Sequence, residues 1–262
     1  EVGCNTFLLE KGNELGGLAS LISKIPAKNR LADFPHYLMH RAEQLDNLYI
    51  FKNTEGTPEN IRKFHPNIIV SSTGSAPLLP PIAGLKDRID NENHNIYSIL
   101  GMISHINDFP KDLEGKKVVV VGGGAVGLDV VEFFADRNAD ISIVEMMDQI
   151  GRDLDPVSKN DTKTMMKKHN VHQLTKTALL EVKDSSFLVR GDGEPYELPF
   201  EYGFVCLGMR AQGQLYQNLT EEFSSEDVEI MNIGDSQRAR RIIDGTQEGR
   251  NILTILEQKG YF

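Results

Sequence analysis

Three glycines and one glutamate near the middle of the chain have the residue types and spacing that bind a dinucleotide. Gly122, Gly124 and Gly127 form a G-x-G-x-x-G pattern directly after the apolar run 118–121, and Glu145 follows 145 − 127 = 18 residues after the last glycine. One glycine of such a pattern makes a tight turn, one lets the backbone approach a pyrophosphate, and one lets a helix pack closely on a strand. A carboxylate at the position of Glu145 can accept hydrogen bonds from both ribose hydroxyls.

The residues around these four predict the elements that would position them. The run 118–121 is typical of a buried parallel strand, and the run ISIV before Glu145 predicts a second one. Apolar residues between Val126 and Phe134 recur at helical spacing. The helix would begin at the glycine loop, so Ala125 and Val126 would offer free N–H groups and the positive end of the helix dipole to phosphates. A glycine turn in an α/β domain without a ligand is the alternative interpretation.

The start of the sequence predicts half of a second unit of this kind. A strand over Cys4–Leu9 ends on Glu10, and a loop with Lys11, Gly16 and Gly17 follows. Strand, acid and loop in this order form the second half of a dinucleotide-binding unit. We expect the first half, a strand with its own glycine-rich turn and helix, to lie before residue 1.

Two further predicted strands end in small residues. The strand Asn67–Val70 leads to Thr73 and Gly74, and the strand Tyr202–Leu207 leads to Gly208. A strand that stops in such residues lets the backbone turn beneath a ligand.

The third strand of this type ends in an acid. Val228–Ile233 leads to Gly234 and Asp235, and a helix is predicted from Arg240 onward. An acid at a strand end before a helix N-terminus can bind a ribityl hydroxyl while the helix dipole faces an anion. An ordinary loop with a capping acid is the alternative.

Composition excludes several classes of protein. The chain has 262 residues, of which 40% are hydrophobic, and a net charge of −10. This length allows one large domain or two of ordinary size, and the acidic charge argues against nucleic acid as the main partner. No apolar run approaches the roughly eighteen residues of a membrane span, and no signal peptide opens the sequence. A cytoplasmic location is expected.

The cysteines and histidines do not predict a metal site. Cys4 and Cys206 are isolated from one another and lie in apolar runs, so we expect both to fill cores. His36 and His40 have a spacing that can chelate a metal on a helix, but no third ligand is near in sequence.

The order of these features resembles one family, the Old-Yellow-Enzyme-like NADH:flavin oxidoreductases. That family includes 2,4-dienoyl-CoA reductase, the enoate reductases and trimethylamine dehydrogenase. The resemblance is to its C-terminal FAD- and NAD-binding half and covers nearly all of the sequence, with the tail NIGDSQRARRIIDGTQEGRNI as its most specific part. It implies an α/β fold with two Rossmann-like dinucleotide-binding lobes of the pyridine nucleotide-disulfide oxidoreductase type.

The resemblance also implies the division of the chain. The FAD-binding lobe is expected over 1–80 and 224–262, without its first strand, glycine loop and helix, and the NAD-binding lobe is inserted over 81–223. Each lobe is expected to combine a parallel sheet with an antiparallel β-meander. The alternating segment 174–202 predicts the meander of the inserted lobe.

Each candidate residue receives an implied role from this family. For FAD these are Glu10 and the neighbouring Lys11 at the adenosine ribose, Gly16 and Gly17 at the phosphates, Thr73 and Gly74 at the lobe junction, Gly234 and Asp235 at the ribityl or pyrophosphate end, and Ile242 and Ile243 at the isoalloxazine. For NADH they are Gly122, Gly124, Ala125, Val126 and Gly127 at the pyrophosphate, Glu145 at the adenosine ribose, and Gly208 and Arg210 at the nicotinamide. A carboxylate at 145 would repel a 2′-phosphate, so NADH is expected over NADPH.

The implied function is electron input. NADH would reduce FAD, and FAD would pass electrons to an FMN- and iron–sulfur-bearing barrel that reduces an activated C=C bond of the enoate or enoyl-CoA type. The barrel, FMN and the cluster are expected before residue 1, in a homo-oligomeric protein. No side chain needs to act as an acid or base, so no catalytic residue is predicted. Two alternatives stay open: a non-redox nucleotide-binding scaffold, as in trimethylamine dehydrogenase, and a stand-alone pyridine-nucleotide flavin reductase.

Overall fold

The computed structural model describes residues 2–261, in which short strands alternate with helices. The strands are β1 (Thr6–Leu9), β2 (Leu48–Phe51), β3 (Ile68–Ser71), β4 (Ser75–Pro77), β5 (Ile96–Tyr97), β6 (Lys117–Val121), β7 (Asp140–Val144), β8 (His172–Leu174), β9 (Ala178–Val182), β10 (Ser186–Arg190), β11 (Tyr196–Pro199), β12 (Tyr202–Val205), β13 (Met209–Ala211) and β14 (Glu229–Asn232). The helices are α1 (Gly17–Ile22), α2 (Asp33–Ala42), α3 (Pro58–Arg62), α4 (Leu85–Arg88), α5 (Ile99–Ser104), α6 (Ala125–Ala135), α7 (Pro156–Lys168), α8 (Gln214–Glu222) and α9 (Ile242–Gln258). The predicted α/β class is confirmed.

The chain forms two units, one inserted into the other. Unit 1 contains the residues up to 24, 28–76 and those from 209 onward, and unit 2 contains 25–27 and 77–208. The predicted inserted lobe extended to 223, which is 15 residues (223 − 208) beyond the end of unit 2. The difference has a packing reason, because Leu219 and Phe223 form a buried cluster with Ile69 of β3.

Unit 2 is built on a five-stranded parallel sheet with the order β5-β12-β6-β7-β8. The central strand β6 has four successive valines, Val118–Val121, that are at most 3% exposed. A strand buried on both faces needs such an unbroken apolar run, and each fully buried side chain of this size contributes about 1.5–3 kcal/mol. The helix α6 follows β6 directly and buries Val130, Val131 and Phe134 completely.

A three-stranded antiparallel sheet of order β11-β10-β9 completes unit 2, in agreement with the meander predicted over 174–202. Its Phe187 packs in one core with Val119 and Val121 of β6, and the Phe187 and Phe200 rings lie 4.5 Å apart. No sheet of this kind occurs in unit 1 among residues 2–261, where the polar segment after β2 forms α3 instead.

Unit 1 contains two separate parallel strand pairs, β1 with β2 and β3 with β14. Within the described part of the chain no backbone ladder joins the two pairs, so each pair has an unpaired edge. Phe7 of β1 and Tyr49 of β2 stack with centroids 5.2 Å apart and are both exposed. The segment expected before residue 1 stays a prediction.

Two smaller findings complete the fold. Cys206 is buried as predicted, but the prediction for Cys4 was wrong, because Cys4 precedes the first strand and is exposed. Of the helices in the described part of the chain, none combines the length and apolar character that crossing a membrane requires.

Candidate dinucleotide-binding sites

The predicted NADH residues of unit 2 follow three adjacent parallel strands. Val121, at the end of the central strand β6, lies in register with Val144 of β7 and Val205 of β12. The glycine loop therefore leaves the same edge of the sheet as Glu145 and the segment leading to Gly208. Ligands of open α/β sheets bind outside the carboxyl ends of the strands, where the connections diverge. The structure brings these predicted residues to such an edge.

Two of the three motif glycines are required by the packing of the chain itself. Gly122 has a φ of 108°, and a Cβ atom there would lie 2.1 Å from the carbonyl oxygen of Cys206. A Cβ atom at Gly127 would lie 1.9 Å from the carbonyl oxygen of Gly122. Gly122 thus permits the turn close to β12, and Gly127 permits α6 to approach the loop.

Gly124, the remaining glycine of the motif, is not required by packing. Its φ of −79° is open to any residue, and no heavy atom lies within 4 Å of a Cβ built there. It precedes α6, whose start has no side-chain capping bond within the described chain. The first N–H groups of a helix lack partners inside the helix, so Ala125 and Val126 border a free space with donors at hand. This space suits the close approach of a pyrophosphate.

Glu145 is held by two backbone amides. Its Oε2 accepts a hydrogen bond of 2.6 Å from the Gly123 N–H, and its Oε1 accepts one of 2.7 Å from the Met147 N–H. The first bond ties the acid to the glycine loop. An ionised carboxylate has about four acceptor positions, so two ribose hydroxyls can still donate to it. Gly123 and Met147 were not among the predicted residues, because the motif specifies the glycines around them and not the backbone donors.

The predicted FAD residues at the start of unit 1 repeat part of this arrangement. Glu10 Oε1 accepts a hydrogen bond of 2.6 Å from the Gly12 N–H, the same two-residue turn that Glu145 makes with Met147. Lys11 is exposed and forms an ion pair of 2.9 Å with Glu55. An exposed pair of this kind contributes at most about 1 kcal/mol to stability.

The two glycines after Glu10 differ in whether the surrounding chain leaves room for a side chain. Gly16 has a φ of 101°, and a Cβ there would overlap the Ser20 hydroxyl at 2.0 Å. Gly17 has no heavy atom within 4 Å of its Cβ position. Only the second glycine leaves space that a ligand could use.

Asp235 is positioned from two sides in unit 1. Its Oδ2 accepts a hydrogen bond of 3.0 Å from the Ser75 hydroxyl, and its Oδ1 accepts one of 3.0 Å from the Arg240 N–H. Thr73 donates to the carbonyl oxygen of Gln212 at 2.7 Å, while the Cβ position of Gly74 is open. Thr73–Gly74 and Asp235 therefore occur in one unit, with Ser75 as a contact that the sequence did not reveal.

The start of α9 lies after Asp235 and is open. Ile242 and Ile243, its first two residues, are 46% and 54% exposed although both are large and apolar. Gly234 has a φ of 66°, and its N–H donates to Glu248 of α9. Of the two residues assigned to the nicotinamide, Gly208 ends unit 2, and Arg210 is exposed on β13 of unit 1.

Fold and site together define an α/β protein with a dinucleotide-binding unit, and comparison of its sequence with known families gives the class. Residues 39–231 match the family described as pyridine nucleotide-disulphide oxidoreductase. The chain belongs to this family, whose members bind FAD and NAD(H). Its two cysteines are both free.

Individual proteins resemble the chain over almost its whole length. It is 25% identical to an NADH oxidase of Thermoanaerobacter brockii, over 94% of this chain and 36% of that protein. It is also 25% identical to a metal reductase of Desulforamulus reducens, over 95% of this chain and 40% of that protein. Among solved structures, a 2-naphthoyl-CoA reductase complex superposes with a TM-score of 0.79 at 22% identity, over 94% of this chain and 35% of that one. The chain thus spans about two fifths or less of the length of each of these three proteins.

Proposed function

We propose that this chain is the electron-input module of a larger NADH-dependent flavin oxidoreductase. The observation that carries the proposal is Gly124, a glycine at the start of α6 that no packing contact requires and that leaves open space beside the first N–H groups of the helix. Packing accounts for Gly122 and Gly127 in any α/β domain, whereas Gly124 leaves an open position at the start of α6 that a pyrophosphate could approach. The Gly123 N–H holds the carboxylate of Glu145, the proposed ribose-binding acid, on the same glycine loop.

The chain's own residues would bind and orient two cofactors. In unit 2, Gly124, Ala125 and Val126 would hold the pyrophosphate of NADH through backbone N–H groups, and Glu145 would accept hydrogen bonds from its adenosine ribose. In unit 1, Glu10 and Asp235 would bind the ribose and ribityl hydroxyls of FAD. When bound, NADH supplies a hydride and FAD accepts it. No acid or base among the side chains is required for that transfer.

The relatives support a module that serves different acceptors. The matched proteins include an NADH oxidase, a metal reductase and a 2-naphthoyl-CoA reductase, of which the chain covers 36%, 40% and 35%. The shared part fits a common electron source better than a common acceptor. We propose that the remainder of the protein is a barrel with FMN and an iron–sulfur cluster, which reduces an activated C=C bond of the enoate or enoyl-CoA type.

Anaerobic titration of the purified protein at its natural length with NADH tests this proposal. The flavin absorbance should be bleached at close to one equivalent of NADH per FAD, and more slowly by NADPH, because Glu145 repels a 2′-phosphate. Binding of NADH without any bleaching would instead identify a nucleotide-binding scaffold. Bleaching in a protein that contains FAD alone would identify a stand-alone flavin reductase and contradict the barrel.

A matched pair of variants connects the result to the site. Glu145→Ala should require a higher NADH concentration for half-bleaching, because it removes both the ribose acceptor and the bond to Gly123. Glu114 lies outside the site, on an exposed turn before β6. The Glu114→Ala variant should therefore require the same NADH concentration for half-bleaching as the wild type. Equal NADH requirements in the two variants would contradict the assigned site.

A further inference from the structure

Glu248 is not among the predicted cofactor-binding residues, but its carboxylate accepts a hydrogen bond from the backbone of one of them, Gly234. Glu248 lies in the second turn of α9, and its Oε2 accepts a hydrogen bond of 2.6 Å from the Gly234 N–H. Its Oε1 accepts a bond of 2.5 Å from the Arg240 guanidinium. The Glu248 and Arg240 side chains are only 26% and 28% exposed. The Gly234 amide, and after it the Arg240 guanidinium, hold the pKa of the Glu248 carboxyl below its ordinary value.

These bonds continue to Asp235. The backbone N–H of Arg240 donates to Asp235 Oδ1, so Glu248 is linked to Asp235 through Gly234 on one side and through Arg240 on the other. The helix also approaches the turn closely, because a Cβ atom at Gly245 would lie 3.6 Å from the Cα atom of Gly234. The turn at 234–235 is therefore held by the Glu248 bond to Gly234, by the Arg240 bond to Asp235 just before α9, and by close packing against Gly245.

We infer that Glu248 is a positioning residue, which together with Arg240 holds the Gly234–Asp235 turn in the conformation that binds the ribityl or pyrophosphate end of FAD. This inference rests on the proposed function. Gly234 is in the left-handed region, with a φ of 66°, where a glycine backbone has many alternatives. A charge-assisted bond to its N–H removes those alternatives before the ligand arrives, and such preorganisation raises affinity.

The competing explanation is that Glu248 only stabilises the fold of unit 1. Two substitutions separate this explanation from a role in positioning the Gly234–Asp235 turn for FAD. Glu248→Gln keeps an amide oxygen that can accept from the Gly234 N–H but loses the ion pair with Arg240. Glu248→Ala loses both bonds. Glu257→Gln, an exposed residue of the same helix, is the matched control.

The experiment measures three quantities on the protein at its natural length: the FAD dissociation constant by flavin fluorescence, the NADH dissociation constant of the FAD-free protein by calorimetry, and the denaturation midpoint without FAD. A bond to a charged group is worth about 1.5–3 kcal/mol, which corresponds to roughly a 10- to 150-fold change in a dissociation constant. Glu248→Ala should weaken FAD binding by about this factor and Glu248→Gln by less. NADH binding in unit 2 should not change, and the control should match the wild type in all three measurements.

The possible outcomes distinguish the two proposals. Unchanged FAD affinity in Glu248→Ala, with only a lower denaturation midpoint, would overturn the positioning role and leave the electron-input function standing. Equal losses in Glu248→Ala and the control would overturn it as well. A wild-type protein that binds no FAD would overturn both.

Discussion

Replacing Gly124 by alanine should separate an effect on ligand binding from an effect on the stability of the fold. The added methyl group meets no heavy atom within 4 Å, and the φ of −79° is ordinary for alanine. Alanine is a poorer residue than glycine before a helix, by about 0.5–1 kcal/mol, but it restricts the unfolded chain by a similar amount. We therefore expect the free energy of unfolding to change by less than about 1 kcal/mol.

The effect on NADH binding should be much larger. If the pyrophosphate occupies the space beside Gly124, the methyl group fills part of it. Overpacking at a close contact costs about 1–3 kcal/mol, which is a 5- to 150-fold loss of affinity. The variant should thus be as stable as the wild type and still bind NADH poorly.

Gly127→Ala provides the matched comparison, since its methyl group would lie 1.9 Å from the Gly122 carbonyl oxygen. Real Cβ atoms stay at least 3.0 Å from such an atom, so α6 or the Gly122 carbonyl must move until the two atoms are 3.0 − 1.9 = 1.1 Å or more farther apart. This variant should lose about 1–3 kcal/mol of stability before any ligand is added.

Urea unfolding and calorimetric NADH titration of the three proteins provide the assay. A Gly124→Ala variant with wild-type affinity would refute the reasoning, because the space at residue 124 would then not receive the ligand. A Gly124→Ala variant as unstable as Gly127→Ala would also refute it, since the position would have a structural role that the geometry does not show.

Three further predictions concern charge and thiol chemistry. Removing the adenosine 2′-hydroxyl from NADH should weaken binding to the wild type but not further to Glu145→Ala; an equal loss in both proteins would show that Glu145 does not contact the ribose. Burial raises the pKa of the Cys206 thiol to about 12, so at pH 8 iodoacetamide should label Cys4 and spare Cys206 until the chain unfolds, which peptide mapping by mass spectrometry can check. The folded pKa of Glu248 is lowered by Gly234 and Arg240, so its contribution to stability is present above the unfolded value of about 4.3 and is lost as pH falls through the folded value. The difference in urea midpoint between wild type and Glu248→Gln should accordingly shrink on acidification, and a constant difference from neutral to acidic pH would contradict this assignment.

Local sequence patterns predicted the central unit well, because each part of it depends on neighbouring residues. The valine run, the glycine spacing and the apolar positions of α6 each express a local constraint, and the observed β6, α6 and β7 match them closely. The terminal β14 and α9 were predicted for the same reason. Strand boundaries differed by one or two residues at β1 and β3, because an apolar run indicates a strand but not the residue at which its ladder begins or ends.

Contacts between distant segments could not be predicted in this way. The Ser75 hydroxyl reaches Asp235 across 160 positions, and nothing local to either residue specifies the pair. The Glu248–Gly234 bond depends on the angle at which α9 leaves the turn. The predicted end of the inserted lobe differs from the end of unit 2 because Leu219 and Phe223 pack on Ile69 of β3, a distant contact that local patterns do not express.

The β3–β14 pair also determines when unit 1 can be completed during synthesis. Ile68 pairs with Glu229, so the ladder closes a loop of 229 − 68 = 161 residues that contains nearly all of unit 2. Closing a flexible loop of that length costs about 4–5 kcal/mol of chain entropy, apart from a constant. The cost falls once unit 2 has folded, because the Leu78 N–H then bonds to the Gly208 carbonyl oxygen at 2.9 Å and brings the two ends of the insertion together. Residues 229–232 must leave the ribosome before β3 can pair with β14. Unit 2 can therefore fold first, and its folding lowers the entropic cost of forming the β3–β14 ladder of unit 1.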